Sequence, residues 1–212
     1  MKMLDLFAGL GGWSKPFIER GHEVCRVDWD KRFELEIVAD ITTLKPSDLP
    51  WKPDVILASP PCETFSVASI GHHWNRANEP KTEEAVYGQE LVKATVRLIQ
   101  EISPRFAIIE NPRGMLRKLG LIPAKRITVW YCHFGEMRAK PTDLWGMPFP
   151  LMDFRGECHS QKSNHPQDCC CRDHASAPRG SQTGTQGMGS YATKSVIPYQ
   201  LASAVEEACR RV

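Results

Sequence analysis

Cys62 stands in the segment Ser59-Pro60-Pro61-Cys62-Glu63, directly after an apolar run that is typical of a buried strand. The two prolines restrict the backbone in front of the thiol, so the sulfur is held at one place on a stiff loop. A thiolate held in this way can attack an electrophilic carbon. The pattern therefore indicates a nucleophilic site, with an inert, packed cysteine as the alternative.

Glu110 follows the apolar run Phe106–Ile109 and is followed by Asn111 and Pro112. A carboxyl group that leaves an apolar strand is partly removed from water, and this favours its protonated form. We therefore expect Glu110 to hold or donate a proton near neutral pH. The alternative is an ordinary capping carboxylate.

A third group of residues follows the first three predicted strands. The segment Phe7–Gly12 (FAGLGG) supplies glycines that let the backbone turn tightly and approach a ligand. Asp28 and Trp29 follow the second strand and suit ribose hydroxyls and a nucleoside base, and Asp40 follows the third. The glycine spacing fits neither the GxGxxG fingerprint nor a P-loop. Together these positions predict an adenosyl pocket.

The elements that must position these residues alternate between strands and helices. The predicted strands are short and mostly apolar, as expected for a sheet covered on both faces: Met3–Phe7, Glu23–Val27, Leu35–Val38, Asp54–Ala58, Phe106–Ile109 and Ile127–Tyr131. Helical spacing of apolar residues predicts helices at Gly12–Arg20, Glu83–Ile102 and Pro198–Arg211. This alternation predicts an α/β fold with a doubly wound, mostly parallel sheet that binds ligands at the carboxyl ends of its strands.

Residues 148–190 differ in composition from the rest of the chain. They are rich in Pro, Gly, Ser, Gln, Cys and His, and they show little periodicity. Their clustered thiols and imidazoles suggest a structural zinc site, with these candidate ligands: Cys158, His165, Cys169 or Cys171, and His174. The alternative is a cysteine-rich loop with free thiols. We therefore divide the chain into a catalytic domain (1–147), a reduced recognition segment (148–190) and a C-terminal helix (191–212).

The composition is that of a globular protein, with 42% hydrophobic and 25% charged residues among 212. The sequence contains no apolar run of the roughly 18–20 residues that a membrane span requires, and its first residues do not resemble a signal peptide. We therefore expect a cytoplasmic protein without membrane association. Residues 105–140 carry a net charge of +6, which suits a nucleic-acid backbone or, alternatively, a solvated surface.

Five segments together resemble the conserved blocks of the cytosine 5-methyltransferases in order and spacing: DLFAGLGGWS, VDWD, ADI, SPPCETFS and IIENPRG. The resemblance covers about residues 3–145. It implies a Rossmann-like domain that binds S-adenosylmethionine through the following residues: Phe7, Ala8, Gly9, Gly11, Gly12, Asp28, Trp29, Asp40, Ile41, Ser59 and Pro60.

The resemblance also implies the chemistry. Cys62 would attack carbon 6 of a cytosine flipped out of double-stranded DNA, and Glu110 would contact ring nitrogen 3. The loop Glu63–Thr82, with Arg76 and Lys81, would close over the base. Arg138 and Lys140 stand where the family has Gln-x-Arg-x-Arg, and Lys140 lacks the bidentate fork of arginine.

Two further departures from the family concern the last third of the chain. Lys194-Ser195-Val196 replaces the usual Gly-Asn block, and the recognition segment is short, which predicts a short or degenerate target. We expect a monomeric bacterial or phage-encoded DNA cytosine 5-methyltransferase. The alternatives are an RNA cytosine 5-methyltransferase, such as a tRNA enzyme, a catalytically inactive DNA-binding relative, and a redox or zinc-storage protein.

Overall fold

A computed structural model describes residues 1–136, 140–147 and 195–211. Within these ranges seven strands form one sheet: β1 (Lys2–Leu6), β2 (Glu23–Asp28), β3 (Ile37–Val38), β4 (Val55–Ala58), β5 (Phe106–Pro112), β6 (Arg126–Trp130) and β7 (Pro141–Met147). The same ranges contain the helices α1 (Ser14–Glu19), α2 (Ile70–His73), α3 (Glu83–Ile102) and α4 (Tyr199–Arg211). Short 3-10 turns lie at Pro46–Asp48, Met115–Lys118 and Tyr131–Phe134.

The strand order in the sheet is β3-β2-β1-β4-β5-β7-β6. Strands β1 to β5 are parallel, and β7 runs antiparallel to both of its neighbours, β5 and β6. The chain passes from β1 outward to β3 and then returns to place β4 on the other side of β1. Such a reversal leaves a crevice at the carboxyl ends of the central strands, where open α/β sheets bind ligands. The predicted α/β fold is confirmed.

Two apolar cores lie on the two faces of the sheet. Val92 and Leu98 of α3 are fully buried in one core. Phe17 of α1 and Leu201 and Val205 of α4 are fully buried in the other core. The helices therefore cover the sheet with the apolar faces that their spacing predicts. In the described part of the chain, no helix is both long and apolar enough to cross a membrane.

Several predicted boundaries were wrong, each for a physical reason. The third strand has only two residues instead of Leu35–Val38: it lies at the sheet edge, and only Ile37 and Val38 pair with β2. Strand β5 continues to Pro112, so Glu110 lies inside a strand and pairs with Leu144. Strand β7 was not predicted, since its sequence PTDLWGM lacks a clear apolar alternation and the strand is paired on both sides.

The remaining differences concern element ends. Helix α1 is shorter than the predicted Gly12–Arg20, because Gly11 has a φ of 73° and the turn that precedes the helix extends to Trp13. Strand β6 ends one residue before the predicted Tyr131, which begins a 3-10 turn. The predictions for α3 and α4 are confirmed, the latter to within one residue.

Candidate active site

A cavity of about 880 Å³ opens at the carboxyl ends of β1, β2 and β4. Most of the cofactor residues predicted from the sequence line it: Phe7, Ala8, Gly9, Gly12, Asp28, Trp29, Asp40, Ile41 and Ser59. Gly11 and Pro60 are not among its lining residues. The volume lies in the range of pockets that bind drug-sized ligands.

The turn after β1 is held in a demanding backbone conformation. Phe7 has a φ of 61°, and Gly9 follows with a φ of 49°, so both occupy the left-handed region. That region is costly for a residue with a side chain, and surrounding contacts must impose it. The Ala8 N–H donates to the Val27 carbonyl oxygen (3.1 Å), and the Gly9 N–H donates to Oδ2 of Asp28 (3.0 Å). These bonds attach the turn to β2.

Asp28 and Trp29 form one wall of the cavity. Asp28 is buried, and each of its carboxylate oxygens accepts one backbone N–H at 3.0 Å, from Gly9 and from Asp30. Each oxygen therefore keeps further acceptor capacity for hydroxyl groups. The neighbouring Trp29 is 72% exposed, which is unusual for a large aromatic side chain. An acceptor beside an exposed aromatic surface suits a nucleoside.

Asp40 is held from two sides. Its Oδ1 accepts hydrogen bonds from the N–H and the hydroxyl of Thr42 (2.8 Å each), and its Oδ2 accepts one from the Tyr87 hydroxyl (2.8 Å). Partial burial opposes ionisation, but the hydrogen bonds from Thr42 and Tyr87 outweigh it and lower the pKa of Asp40. Burial and the bond to Asp40 raise the pKa of Tyr87 to about 12. Asp40 is therefore a charged acceptor at neutral pH.

Tyr87 and Asp5 are cavity residues that the sequence patterns do not single out. Tyr87 is a half-exposed residue of α3. Only its hydrogen bond to Asp40, which lies 47 positions earlier in the chain, shows that it helps to hold that carboxylate. Asp5 lies inside strand β1 and is buried, and it accepts a hydrogen bond from the Ser14 hydroxyl (2.5 Å). Burial raises the pKa of Asp5 to about 7. An aspartate inside an otherwise apolar strand is the sequence pattern that could have identified Asp5.

Cys62 begins a tight turn beside the cavity. Its carbonyl oxygen accepts the N–H groups of Phe65 (3.1 Å) and Ser66 (2.9 Å). Its neighbours in the chain, Pro61 and Glu63, line the cavity, and the thiol-bearing residue itself is half-buried. Burial raises the pKa of two other described cysteines, to about 11 for Cys25 and about 12 for Cys209, so these remain protonated at neutral pH. Both are therefore packed thiols.

The strand that carries Glu110 also holds the loop around Cys62, residues Ser59–Ser66, which we call the cysteine loop. The side-chain amide of Asn111 donates to the carbonyl oxygen of Pro60 (2.8 Å), and Asn111 is fully buried. Because β4 and β5 pair up to Ala58 and Ile109, the loop that leaves β4 begins beside the part of β5 that carries Glu110. The structure thus brings the loop of Cys62 next to the strand of Glu110.

Glu110 is 3% exposed, and its Oε1 accepts a hydrogen bond from the Tyr131 hydroxyl at 3.0 Å. The Lys140 ammonium lies 4.7 Å from the centre of the Tyr131 ring. Lys140 therefore contacts the aromatic ring whose hydroxyl holds Glu110. Arg138 lies outside the described residues. Tyr131 was not identified from the sequence.

The loop Glu63–Thr82 is folded against the rest of the domain. The Trp74 indole N–H donates to the Thr64 carbonyl oxygen (2.7 Å), and its ring stacks on Phe65 with 5.9 Å between centroids. The Lys81 ammonium donates to the Gly71 carbonyl oxygen (3.1 Å), and Arg76 is exposed. The loop thus has a buried aromatic anchor and an exposed outer part that carries Arg76 and Lys81.

Part of the basic excess in residues 105–140 is used inside the protein. Arg117 and Arg126 both pair with Asp143, which is fully buried, at 2.5 and 3.2 Å. Arg113 lies over the Trp130 ring at 5.5 Å. The local charge is therefore only partly available to a nucleic acid.

The proposed zinc ligands Cys158, His165, Cys169, Cys171 and His174 lie outside the described residues. Among the residues that the structure does describe, no group of three or more His, Cys, Asp or Glu side chains is placed to hold a metal ion.

Comparison with known proteins gives the family. The sequence profile of the C-5 cytosine-specific DNA methylases matches residues 1–122, which is more than half of the chain. The chain belongs to the C-5 cytosine-specific DNA methylase family, and the predicted resemblance is confirmed.

Individual relatives agree with this assignment. The type II methyltransferase M.FnuDI of Fusobacterium nucleatum is 29% identical over 128 residues, 56% of this chain and 34% of that protein. A probable DNA (cytosine-5)-methyltransferase of Frog virus 3 is 29% identical over 153 residues, 68% of this chain and 70% of that protein. The chain thus spans about a third of the length of M.FnuDI, but most of the viral protein.

A solved structure supports the fold. The methyltransferase EhMeth of Entamoeba histolytica superimposes with a TM-score of 0.52 over 72% of this chain and 55% of that one, at 14% sequence identity.

Proposed function

We propose that this chain transfers a methyl group from S-adenosylmethionine to carbon 5 of a cytosine in double-stranded DNA, with Cys62 as the nucleophile. The proposal rests on the family and on one observation above all. The hydrogen bond from Asn111 to the Pro60 carbonyl oxygen keeps the cysteine loop beside the strand of Glu110, at the edge of the cavity. A thiol and a buried carboxyl next to a nucleoside-sized pocket suit this reaction.

The cavity residues fit S-adenosylmethionine, which would supply an activated methyl group when bound. Asp28 has spare acceptor capacity for ribose hydroxyls, and Trp29 offers an exposed aromatic face for adenine. Asp40 is a charged acceptor for an exocyclic amine, kept in place by Thr42 and Tyr87. The turn Phe7–Gly12 would run along the methionine part.

The protein groups act on the pyrimidine ring. The Cys62 thiolate forms a bond to carbon 6, and the displaced electron pair moves towards carbon 5 and ring nitrogen 3. A proton from Glu110 at nitrogen 3 neutralises the ring and makes carbon 6 more electrophilic. After methylation, a base removes the carbon 5 proton, the double bond between carbons 5 and 6 re-forms, and the thiolate leaves carbon 6. The nitrogen 3 proton returns to Glu110, which restores both the product and the acid.

A cytosine inside a duplex cannot bring its carbon 6 to the Cys62 thiol beside the cavity. The base must leave the stack, which costs a few kcal/mol. The exposed part of the loop Glu63–Thr82, with Arg76, would contact the phosphate backbone around the flipped nucleotide.

The test is Cys62→Ser in an assay with tritiated S-adenosylmethionine, with duplex DNA and RNA compared side by side. We expect wild-type transfer to DNA, loss of transfer by at least about 1000-fold in Cys62→Ser, and unchanged DNA binding, since a hydroxyl is a far weaker nucleophile than a thiolate. Cys209→Ala is the matched control, because it removes a buried thiol from α4, which lies outside the cavity.

Three results would contradict parts of this proposal. Equal activity of wild type and Cys62→Ser would remove the cysteine mechanism. Methylation of RNA but not DNA would change the substrate class. DNA binding with no transfer to either nucleic acid would favour an inactive DNA-binding relative.

A further inference from the structure

We infer that Tyr131 positions Glu110 for the reaction: its hydroxyl bonds the carboxyl, and the face of its ring carries the Lys140 ammonium. The inference rests on the proposed function. It adds a residue that belongs to none of the segments that carry the family resemblance.

Tyr131 is held in place by the end of the sheet. It follows β6, its N–H donates to the Lys140 carbonyl oxygen (3.2 Å), and its side chain is fully buried. From there its hydroxyl reaches across β7 to β5, since the strand order is β5-β7-β6. The phenol therefore has little freedom to move away from Oε1 of Glu110.

A fixed donor on one oxygen has a chemical consequence. A carboxyl needs only one oxygen to carry the proton that ring nitrogen 3 requires. With the Tyr131 hydroxyl donating to Oε1, the carboxyl is held in one orientation, and Oε2 is the oxygen that would carry the proton for nitrogen 3. Because Glu110 is 3% exposed, water has little access to replace this donor.

Lys140 acts on the phenol rather than on the carboxyl. A cation over an aromatic face is attracted by the ring quadrupole, and the 4.7 Å distance lies within the range of such contacts. An ammonium also lacks the fork that pairs with a carboxylate in two places. The hydroxyl of Tyr131 supplies the directional contact that Lys140 does not make.

The test compares Tyr131→Phe with wild type in single-turnover methyl transfer at saturating DNA. We expect the rate to fall by about 10-fold or more, with Kd values for DNA and S-adenosylmethionine within about 2-fold, because positioning of an acid affects the chemical step. Tyr199→Phe is the matched control. Its hydroxyl also bonds a glutamate (Glu19, 2.6 Å), and a lysine also lies over its ring (Lys15, 5.6 Å), but on the outer side of α1 and α4.

A double-mutant cycle separates positioning from general support of the fold. If Tyr131 acts through Glu110, Tyr131→Phe costs no more than about 2-fold in a Glu110→Gln background. An equal loss in both backgrounds, or a Tyr131→Phe variant as fast as wild type, overturns the inference.

Thermal unfolding shows whether Tyr131→Phe is folded. If it is not, replacement of Tyr131 by 3-fluorotyrosine keeps the shape and makes the phenol a stronger donor. The single-turnover rate must then change, and an unchanged rate overturns the inference. An inactive wild type overturns the proposed function and this inference with it, whereas an active wild type with an insensitive Tyr131 overturns this inference alone.

Discussion

Asp5 lies at the point where the core meets the cavity. It is fully enclosed, it lines the cavity, and its carboxylate accepts a hydrogen bond from Ser14 at the start of α1. Removal from water raises its pKa from 3.8 to about 7, and the bond from Ser14 offsets only part of that effect. This residue thus links the pocket to the stability of the domain.

Asp5→Asn should remove a pH-dependent loss of stability. Between about pH 4 and pH 7 the unfolded chain has released the Asp5 proton while the folded protein still holds it, so the folded state loses stability as the pH rises. Above pH 7 the loss is complete. In urea titrations, the free energy of unfolding of Asp5→Asn minus that of wild type should rise from pH 4 to 7 and stay level above. If the difference between the two free energies of unfolding does not vary with pH, the raised pKa of Asp5 is contradicted.

At the scale of elements, the cysteine loop depends on the segment after β5. The Met115 N–H donates to the Phe65 carbonyl oxygen (2.7 Å), and Ser66 forms a bridge with Gly114. A Cβ at Gly114 would lie 2.0 Å from that carbonyl oxygen. Together with the bond from Asn111 to Pro60, this close approach fixes the loop on both sides of Cys62.

Gly114→Ala should therefore push the cysteine loop away from the segment that follows β5. We expect a loss of stability of about 1–3 kcal/mol and a lower rate of methyl transfer, because the backbone must move to admit the methyl group. Thermal denaturation and the transfer assay measure the two effects. Gly71→Ala is the control for stability, since a Cβ there meets no atom within 4 Å. Equal melting temperatures for the two variants would contradict the close approach.

At the scale of the whole molecule, the C-terminal helix belongs to the same folded unit as the sheet. Helix α4 packs on α1, and the buried Glu206 pairs with Arg20 (3.1 Å) and His22 (2.9 Å). The residues before α4 reach the cavity, where the Ile197 backbone nitrogen would lie 2.7 Å from a Cβ at Gly12. A side chain at position 12 would therefore collide with the backbone before α4, whether or not a ligand is bound.

Leu201→Ala should weaken the whole domain. Its side chain is fully buried in the core between α1, α4 and the sheet, and such truncations cost about 2–5 kcal/mol. Urea denaturation should show this loss in a single transition. Glu207→Ala on the same helix removes a half-exposed side chain paired with Arg211, and it should change stability by no more than about 0.5 kcal/mol. Similar losses of stability in both variants would contradict the conclusion that the apolar face of α4 is part of the core.

Much of the candidate site was predictable because its parts are local in sequence. Each part lies at or just after the end of a strand that the sequence predicts: the turn Phe7–Gly12, Asp28, Asp40 and Cys62. Parallel strands carry their carboxyl ends to one edge, so these residues meet wherever such a sheet forms. Strand β7 could not be predicted in this way, because pairing with β5 and β6 stabilises a segment whose own pattern is weak.

The sequence by itself determined which chemical groups the site contains: a thiol on a stiff loop, a carboxyl after an apolar run, and acceptors for a nucleoside. Only the tertiary structure decided how Glu110 is held, since Tyr131 lies 21 positions further along the chain and reaches it across an antiparallel strand. The same holds for Tyr87 and Asp40. Contacts between distant segments depend on sheet order and register, which short-range patterns do not encode.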